Sequence, residues 1–351
     1  MSCEHFAYAP QGAIGTFVPP TKAIPVISAG AGGTQRELTD GRLTGSCRSR
    51  FYRWLGAKAV SGSIVTHWWD EDIASLWKEF LTDSATTGAP TDYTHGFIPN
   101  DLASLGMLSA QFVHSTTVGE SILAMVINSV EIQCASKELV QLTFNYEARD
   151  KVRSALAADA AKWDSLATAS PALVVPSTMY ETVARPLAFY DGVITYGGTL
   201  TFSDTSNVVT IASGVALAKI LAITITIDAG LDTDGFEVAE DPTRLEFAPG
   251  DRDITVSMDV SFYDQAFTLY DLANSGVPTV ISLQLFKSAV LGAEIILPAV
   301  VLDPFAMPAV TGTKAKKTYT LTGKAQRAQI VTGDPVDLDI NVIILNQEAA
   351  I

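Results

Sequence analysis

Two stretches of this chain run through the same order of elements, and that repetition limits the fold more than any single residue does. A strand closing in two aromatics and an aspartate occurs twice: Ser61 to Asp70 ends in Trp68-Trp69-Asp70, and Thr255 to Asp264 ends in Phe262-Tyr263-Asp264. Each leads into a short helix, with Ile73 and Leu76 standing where Phe267 and Tyr270 stand. Leu108-Ser109-Ala110-Gln111-Phe112-Val113 then finds its counterpart in Ile281-Ser282-Leu283-Gln284-Leu285-Phe286, and the long apolar strand Ile122–Ile132 in Ile295–Leu302. The last strand, Leu139 to Arg149, matches Lys316 to Gln326, with Leu142 and Phe144 lined up on Tyr319 and Leu321. This order predicts a mainly β chain of two tandem modules. Each is a small β-sandwich or barrel with one short packed helix, not a doubly wound α/β fold.

Local periodicity supports the strands. Leu142, Phe144 and Tyr146 alternate with Thr143, Asn145 and Glu147, the period of two that marks a half-buried strand. Further strands are expected near Tyr93–Ile98, Leu108–His114, Ile122–Cys134, Val193–Phe202, Val208–Ala212, Leu217–Asp228 and Ile254–Tyr263. Asp70-Glu71-Asp72 opens a helix with acidic residues in its first turn, and Ile73, Leu76, Trp77, Phe80 and Leu81 fall on one face of it. Pro10, Pro19, Pro20 and Pro25 alternate with Gly12, Gly15, Gly30, Gly32 and Gly33, so residues 1–50 read as an extended N-terminal arm. Residues 51–150 form the first module and 191–351 the second. Between them, 151–190 is a linker: an Ala-rich helical patch from Arg153 to Ala167, closed by Pro171 and Pro176.

Composition narrows the class. Of 351 residues 48% are hydrophobic and 17% charged, which describes a folded chain. The most apolar stretch, Gly214 to Ile227, carries Lys219 and alternates Ile with Thr, far from the roughly 18 apolar residues of a spanning helix. No membrane is expected, and Met1-Ser2-Cys3-Glu4-His5 does not resemble a secretory signal. Cys3, Cys47 and Cys134 are odd in number and far apart, which fits assembly in a reducing cytoplasm and not a disulfide framework or a zinc site. A net charge of -15 repels phosphates on average. Acidity of this kind keeps a protein soluble. In a fold with a lumen it also lets DNA slide past without sticking, but charge alone supplies no lumen.

No reaction chemistry stands out. Ala29-Gly30-Ala31-Gly32-Gly33 lacks the spacing of a dinucleotide loop, and Gly-x-Ser-x-Gly does not occur. His5, His67, His95 and His114 are scattered without metal-ligand spacing. Asp228, Asp232, Asp234, Glu237, Glu240 and Asp241 form an acidic cluster, yet Gly230 occupies the place where a calcium loop needs its first aspartate. A hairpin tip ending in Asp-Gly is the simpler reading. Lys314, Lys316, Lys317, Lys324 and Arg327 gather near one strand without aromatic interleaving. They read as partners for the acidic hairpin of a neighbouring subunit, or equally as a solvated face. No catalytic, cofactor-binding or metal residue is expected, no cofactor, and no enzyme.

Several segments resemble the tail tube (major tail) proteins of long-tailed bacteriophages. In the first half they are Ser61-Gly62-Ser63-Ile64 through Leu76-Trp77, Thr86-Thr87-Gly88-Ala89 leading to Tyr93-Thr94-His95-Gly96-Phe97, Val126 to Ile132, and Leu142 to Asp150. In the second they are Gly250 to Ser257 and Ile296 to Leu302, and the likeness runs roughly from Gly15 to the C-terminus. The resemblance implies a structural virion protein whose strands join those of its neighbours into a continuous barrel. Rings of it stack into a hollow tube for DNA delivery. It also implies the partners: further copies of itself, a tape measure protein, a tail terminator, and DNA passing the lumen without specific binding. The place is the virion tail, after assembly in the host cytoplasm. A ring usually has six copies; a duplicated chain instead allows three with pseudo-six-fold symmetry. The arm and the hairpin Asp228–Asp241 are candidates for clasping the next ring. Two other readings stay open. One is a carbohydrate- or surface-binding sandwich using Trp54, Trp68, Trp69 and Trp77, and the other a tube subunit of a phage-like particle or secretion system.

Overall fold

Residues that alternate between apolar and polar pair laterally into sheets, and this chain does so along most of its described residues. The computed structural model describes residues 5–14, 16–39, 53–69, 73–90, 92–101, 105–114, 118–155, 185–217, 220–232, 247–261, 265–305, 318–348 and 351. The first half contains β1 (His5–Gln11), β2 (Lys22–Ile24), β3 (Ser28–Thr39), β4 (Arg53–His67), α1 (Ala74–Leu81), β5 (Thr82–Ala89), β6 (Asp92–Pro99), β7 (Met107–Val113), β8 (Val118–Ala135) and β9 (Gln141–Ala155). The second contains β10 (Gly192–Tyr196), β11 (Thr199–Ser203), β12 (Val208–Ala212), β13 (Val215–Leu217), β14 (Ile220–Asp228), β15 (Asp253–Ser261) and α2 (Gln265–Ser275). It continues with β16 (Thr279–Ser288), β17 (Leu291–Leu302), β18 (Thr318–Ala325), β19 (Ala328–Ile330), β20 (Val336–Leu338) and β21 (Asn341–Asn346).

The two halves use one pairing scheme. In the first, β1 pairs β2 and β7, β4 pairs β3 and β9, and β8 pairs β7 and β9. In the second, β10 pairs β13 and β16, β15 pairs β14 and β18, and β17 pairs β16 and β18. Register agrees as well: Ile64 lies opposite Phe144 as Met258 lies opposite Leu321, and Val113 opposite Gly119 as Phe286 opposite Gly292.

The halves are not, however, two separate sandwich or barrel modules whose strands run on into a continuous barrel. Seventeen strands make one sheet that passes through both halves. β8 is long enough to carry β7 along one part of an edge and β14 along the rest, and β21 pairs with both β17 and β6. Among the described residues these pairings branch without returning to their start, and β2, β3, β5 and β13 each have one partner. A barrel requires the circuit of pairings to close, and this one stays open. Alternation reports which face of a strand is buried and says nothing about who lies beside it.

The segment expected to be an extended arm holds β1, β2 and β3. Phe6 and Tyr8 are buried on one face of β1 and Ala7 and Ala9 on the other. In β4 a glycine allows a close approach. Tyr146 Oη donates to the Gly30 carbonyl at 3.0 Å, crossing Gly62, where an added Cβ would stand 2.5 Å from that hydroxyl. Of the helix expected from Arg153 to Ala167, Arg153–Ala155 belong to β9 and the rest lies outside the described residues.

α1 buries its predicted face: Leu76, Trp77, Phe80 and Leu81 are in the core, with Trp77 stacked on Trp68 at 5.7 Å and edge-on to Phe144 at 6.1 Å. A second core lies under the hairpins β11–β12 and β19–β20, where Phe202, Val209, Ile330 and Leu338 pack on Ile98, Ile296 and Ile343. An ionic clasp also ties the halves. Arg252, just before β15, donates from Nε to Asp339 Oδ2 at 2.8 Å and from Nη2 to Asp101 Oδ1 at 2.9 Å, while Arg327 reaches Asp101 Oδ2 at 2.5 Å. Partial burial works against the charge on Asp101, but the hydrogen bonds and charges of the two arginines outweigh it and hold its carboxyl below the ordinary value of 3.8.

Two outcomes are expected. Phe6→Ala removes a fully buried ring packed on Tyr8 and Phe112, and should lower unfolding free energy in a urea titration by about 3–5 kcal/mol. Asp101→Asn should cost about 1 kcal/mol at neutral pH, a figure kept small because the site is partly solvent-screened. A depressed pKa contributes stability above the unfolded value, so the deficit should vanish as pH falls through and below 3.8, measured by thermal melts of both proteins against pH.

Candidate assembly surfaces

Among the described residues no group of His, Cys, Asp and Glu is placed to hold a metal ion. The histidines stay apart. His95, on β6, is buried between Thr86 Oγ1 at 2.9 Å and Asn346 Oδ1 at 2.8 Å, so one ring nitrogen accepts and the other donates. Burial holds its pKa below the ordinary 6.5 against the opposing Asn346 hydrogen bond, and the neutral ring fastens β21 to β6. His114 lies 3.9 Å from Glu120, and His67 Nδ1 is buried without a hydrogen-bond partner in the structure. Cys134 is buried, and desolvation first, then the charge of Asp191, pushes its thiol up to about 11, so it is inert. Cys3 and Cys47 lie outside the described residues.

Among the described residues the tryptophans named for a sugar-binding sandwich do not line an open groove. Trp68 and Trp77 are fully buried in the core, Trp69 is half-buried, and the side chain of Trp54 lies outside the described residues. Of the acidic cluster, Asp228 and Asp232 are described and Asp234, Glu237, Glu240 and Asp241 are not. Asp228 Oδ1 accepts the Gly230 N–H at 2.9 Å, closing a tight turn on a glycine with φ of 60°. Asn128 of β8 holds the next residues, its carbonyl accepting from Ala229 N–H and its Oδ1 from Leu231 N–H. Of the basic group, Lys324 binds Asp253 at 2.7 Å and Arg327 binds Asp101. Both pair within the chain and stay largely exposed. Lys314, Lys316 and Lys317 lie outside the described residues.

What the structure does show is an unequal pairing of two equivalent strands. β14 is filled on both edges, Ile223, Ile225 and Ile227 lying opposite Met258, Val256 and Ile254 of β15 and opposite Cys134, Ile132 and Val130 of β8. β3 stands in the same place in the first half, but among the described residues only its β4 edge is paired. The alternation of Leu217–Asp228 signals a strand but not this double pairing, because no local pattern encodes a partner some ninety residues away.

Residues 4–325 match a family model described as phage tail tube protein. None of the curated proteins compared with the chain matches it. The family match spans both halves and the junction between them. It gives the protein a place in the virion tail and a structural, non-enzymatic role as a tail tube component. The chain belongs to the phage tail tube protein family.

Proposed function

We propose that three copies of this chain close into one ring of the tail tube, that their six repeats give the ring pseudo-six-fold symmetry, and that such rings stack around the channel through which the genome leaves. The observation that carries this reading is the unequal pairing of two equivalent strands. β14 has β15 on one side and β8 on the other, whereas β3 has β4 alone among the described residues. Each chain thus contains one repeat-to-repeat junction and leaves one edge for the next chain to meet. A contact between unlike faces of identical chains closes into a ring when its rotation divides the circle. An intramolecular junction fixes that rotation in advance.

The open edge of β3 is 12 residues long and free of proline. In an isolated subunit such an edge invites uncontrolled pairing. In a ring it is covered. The net charge of -15 suits a wall past which DNA moves without adhering. Within the virion the further partners are a tape measure protein in the growing tube and a tail terminator at its end, with assembly in the host cytoplasm.

Electron microscopy of assembled tubes, with native mass measurement of released rings, tests the copy number. Three chains per ring and six similar wall units are expected. Six chains, or rings with only three-fold features and no similarity between halves, would overturn the proposal.

A further inference from the structure

A strained residue in β8 is held from the far end of the sequence, by the first strand of the chain. Leu108 and Ala110, two residues apart on β7, lie opposite Met125 and Ile122, three apart on β8, so Leu123 and Ala124 together stand against Ser109. Such a bulge bends its strand and leaves a residue outside the ladder. Ala124 adopts the left-handed region, at φ of 49°, which an alanine enters only at a cost. Gln11, at the end of β1, holds it there. Its Oε1 accepts the Ala124 N–H at 3.0 Å and the Ser109 hydroxyl at 2.8 Å, and its Nε2 donates to the Ala13 carbonyl at 2.7 Å. Gln11 is 4% exposed and Ser109 0%, so water does not readily replace these bonds.

The bend gives β8 a second apolar face. Ile122 is followed in the main core by Met125 and Ile127, while Ala124 and Val126 turn to a separate cluster with Leu231 and Phe247. A second bulge closes this stretch: Ile127 and Ser129 lie opposite Tyr146 and Asn145, with Asn128 extra. The Asn128 carbonyl and Oδ1 accept the Ala229 and Leu231 N–H groups. The chain leaving β14 therefore rests on the part of β8 between the two bulges, and the ladder from β8 to β14 starts directly after the second.

The second half supplies the contrast. Ala7 lies opposite Gln111 as Val193 lies opposite Gln284, which puts Gly197 in the place of Gln11 and Ser282 in that of Ser109. Gly197 has no side chain to reach with, and Ser282 meets a single residue, Ile296. The irregularity of β17 comes one step later, at Pro298 and Ala299, neither with positive φ. Among the described residues β17 has no further partner on its β16 edge. The clamp and the strained bulge occur together, in the half whose strand goes on to a second neighbour.

We infer that Gln11 is a positioning residue of the junction between the halves: from the N-terminal strand it fixes the bulge of β8 and, through Ala124 and Val126, the seat of the chain that leaves β14. This goes beyond the ring reading and does not depend on the number of chains in a ring.

Amide hydrogen exchange of the full chain tests it. Gln11→Met keeps the length and apolar stem of the side chain and removes its hydrogen bonds. Exchange at Ala229 and Leu231 should rise about tenfold, while amides of the β11–β12 hairpin change less than about twofold. Unchanged exchange at Ala229 and Leu231 would overturn the inference, and so would an equal rise at every amide, which a merely weakened fold gives. Glycine enters the left-handed region without strain. Adding Ala124→Gly to Gln11→Met should therefore return most of the lost protection, and no recovery overturns the inference. Should Gln11→Met not fold, Ala124→Gly alone decides. A thermal melt at or above wild type is expected; a lower one shows that position 124 carries no strain for Gln11 to hold, and the inference falls. Three-chain rings can form whichever result exchange gives, so this inference and the ring reading fail separately.

Discussion

Everything else in this subunit depends on β14 having both edges filled. Three apolar rows cross the junction: Met258–Ile223–Cys134, Val256–Ile225–Ile132 and Ile254–Ile227–Val130. Main-chain hydrogen bonds hold each row on both sides, so the halves cannot slide without breaking a ladder and exposing isoleucines at once. Without that strand, among the described residues, the β6–β21 pairing, the main-chain bonds of Leu187 and Phe189 to Trp68, Glu138 and Val140, and side-chain contacts would remain. With it, one half is held in a fixed place against the other. The clasp of Arg252 on Asp101 and Asp339 reinforces the same relation from the far end of the strands.

Much of this was legible in the residues, and the limit is physical. Segments matched by sequence occupy equivalent places in the sheet: Leu108–Val113 and Ile281–Phe286 pair with β8 and β17 in the same register. The face of α1 marked by Leu76, Trp77 and Phe80 is the buried one. Two kinds of feature were not legible. β1 alternates Phe6 and Tyr8 with Ala7 and Ala9, all apolar, so period two is hidden, and β3 is rich in glycine, which reads as punctuation. Both are strands because β4 and β7 offer partners, a tertiary cause that outweighs local propensity. The other illegible feature was the lateral arrangement. The closed barrel was expected from resemblance and not from any residue, and the branching at β8 and β17 replaces it.

Where the halves differ is as informative as where they agree. The first half inserts the hairpin β5–β6 between α1 and β7; the second inserts β11–β12 between β10 and β13. These insertions meet. Asn207, beside β12 and in the left-handed region at φ of 51°, donates to Asp83 of β5 at 2.9 Å. Asn341 of β21 donates to both the Phe97 and the Asn207 carbonyls and accepts the Val209 N–H. Gly96 is glycine for the same reason, since a Cβ there would stand 2.2 Å from the Ser206 carbonyl.

A pair of insertions that fit each other at unequal positions cannot be built from two identical repeats. Once β5–β6 and β11–β12 were joined through Asn341, neither half could replace the other, because each carries the complement of the other's hairpin. The halves differ in exposure too: Ala7 and Val113 are buried, whereas Val193 and Phe286 at the equivalent places are exposed. The two halves thus keep one strand scheme in common, while the hairpins make them complementary and not interchangeable.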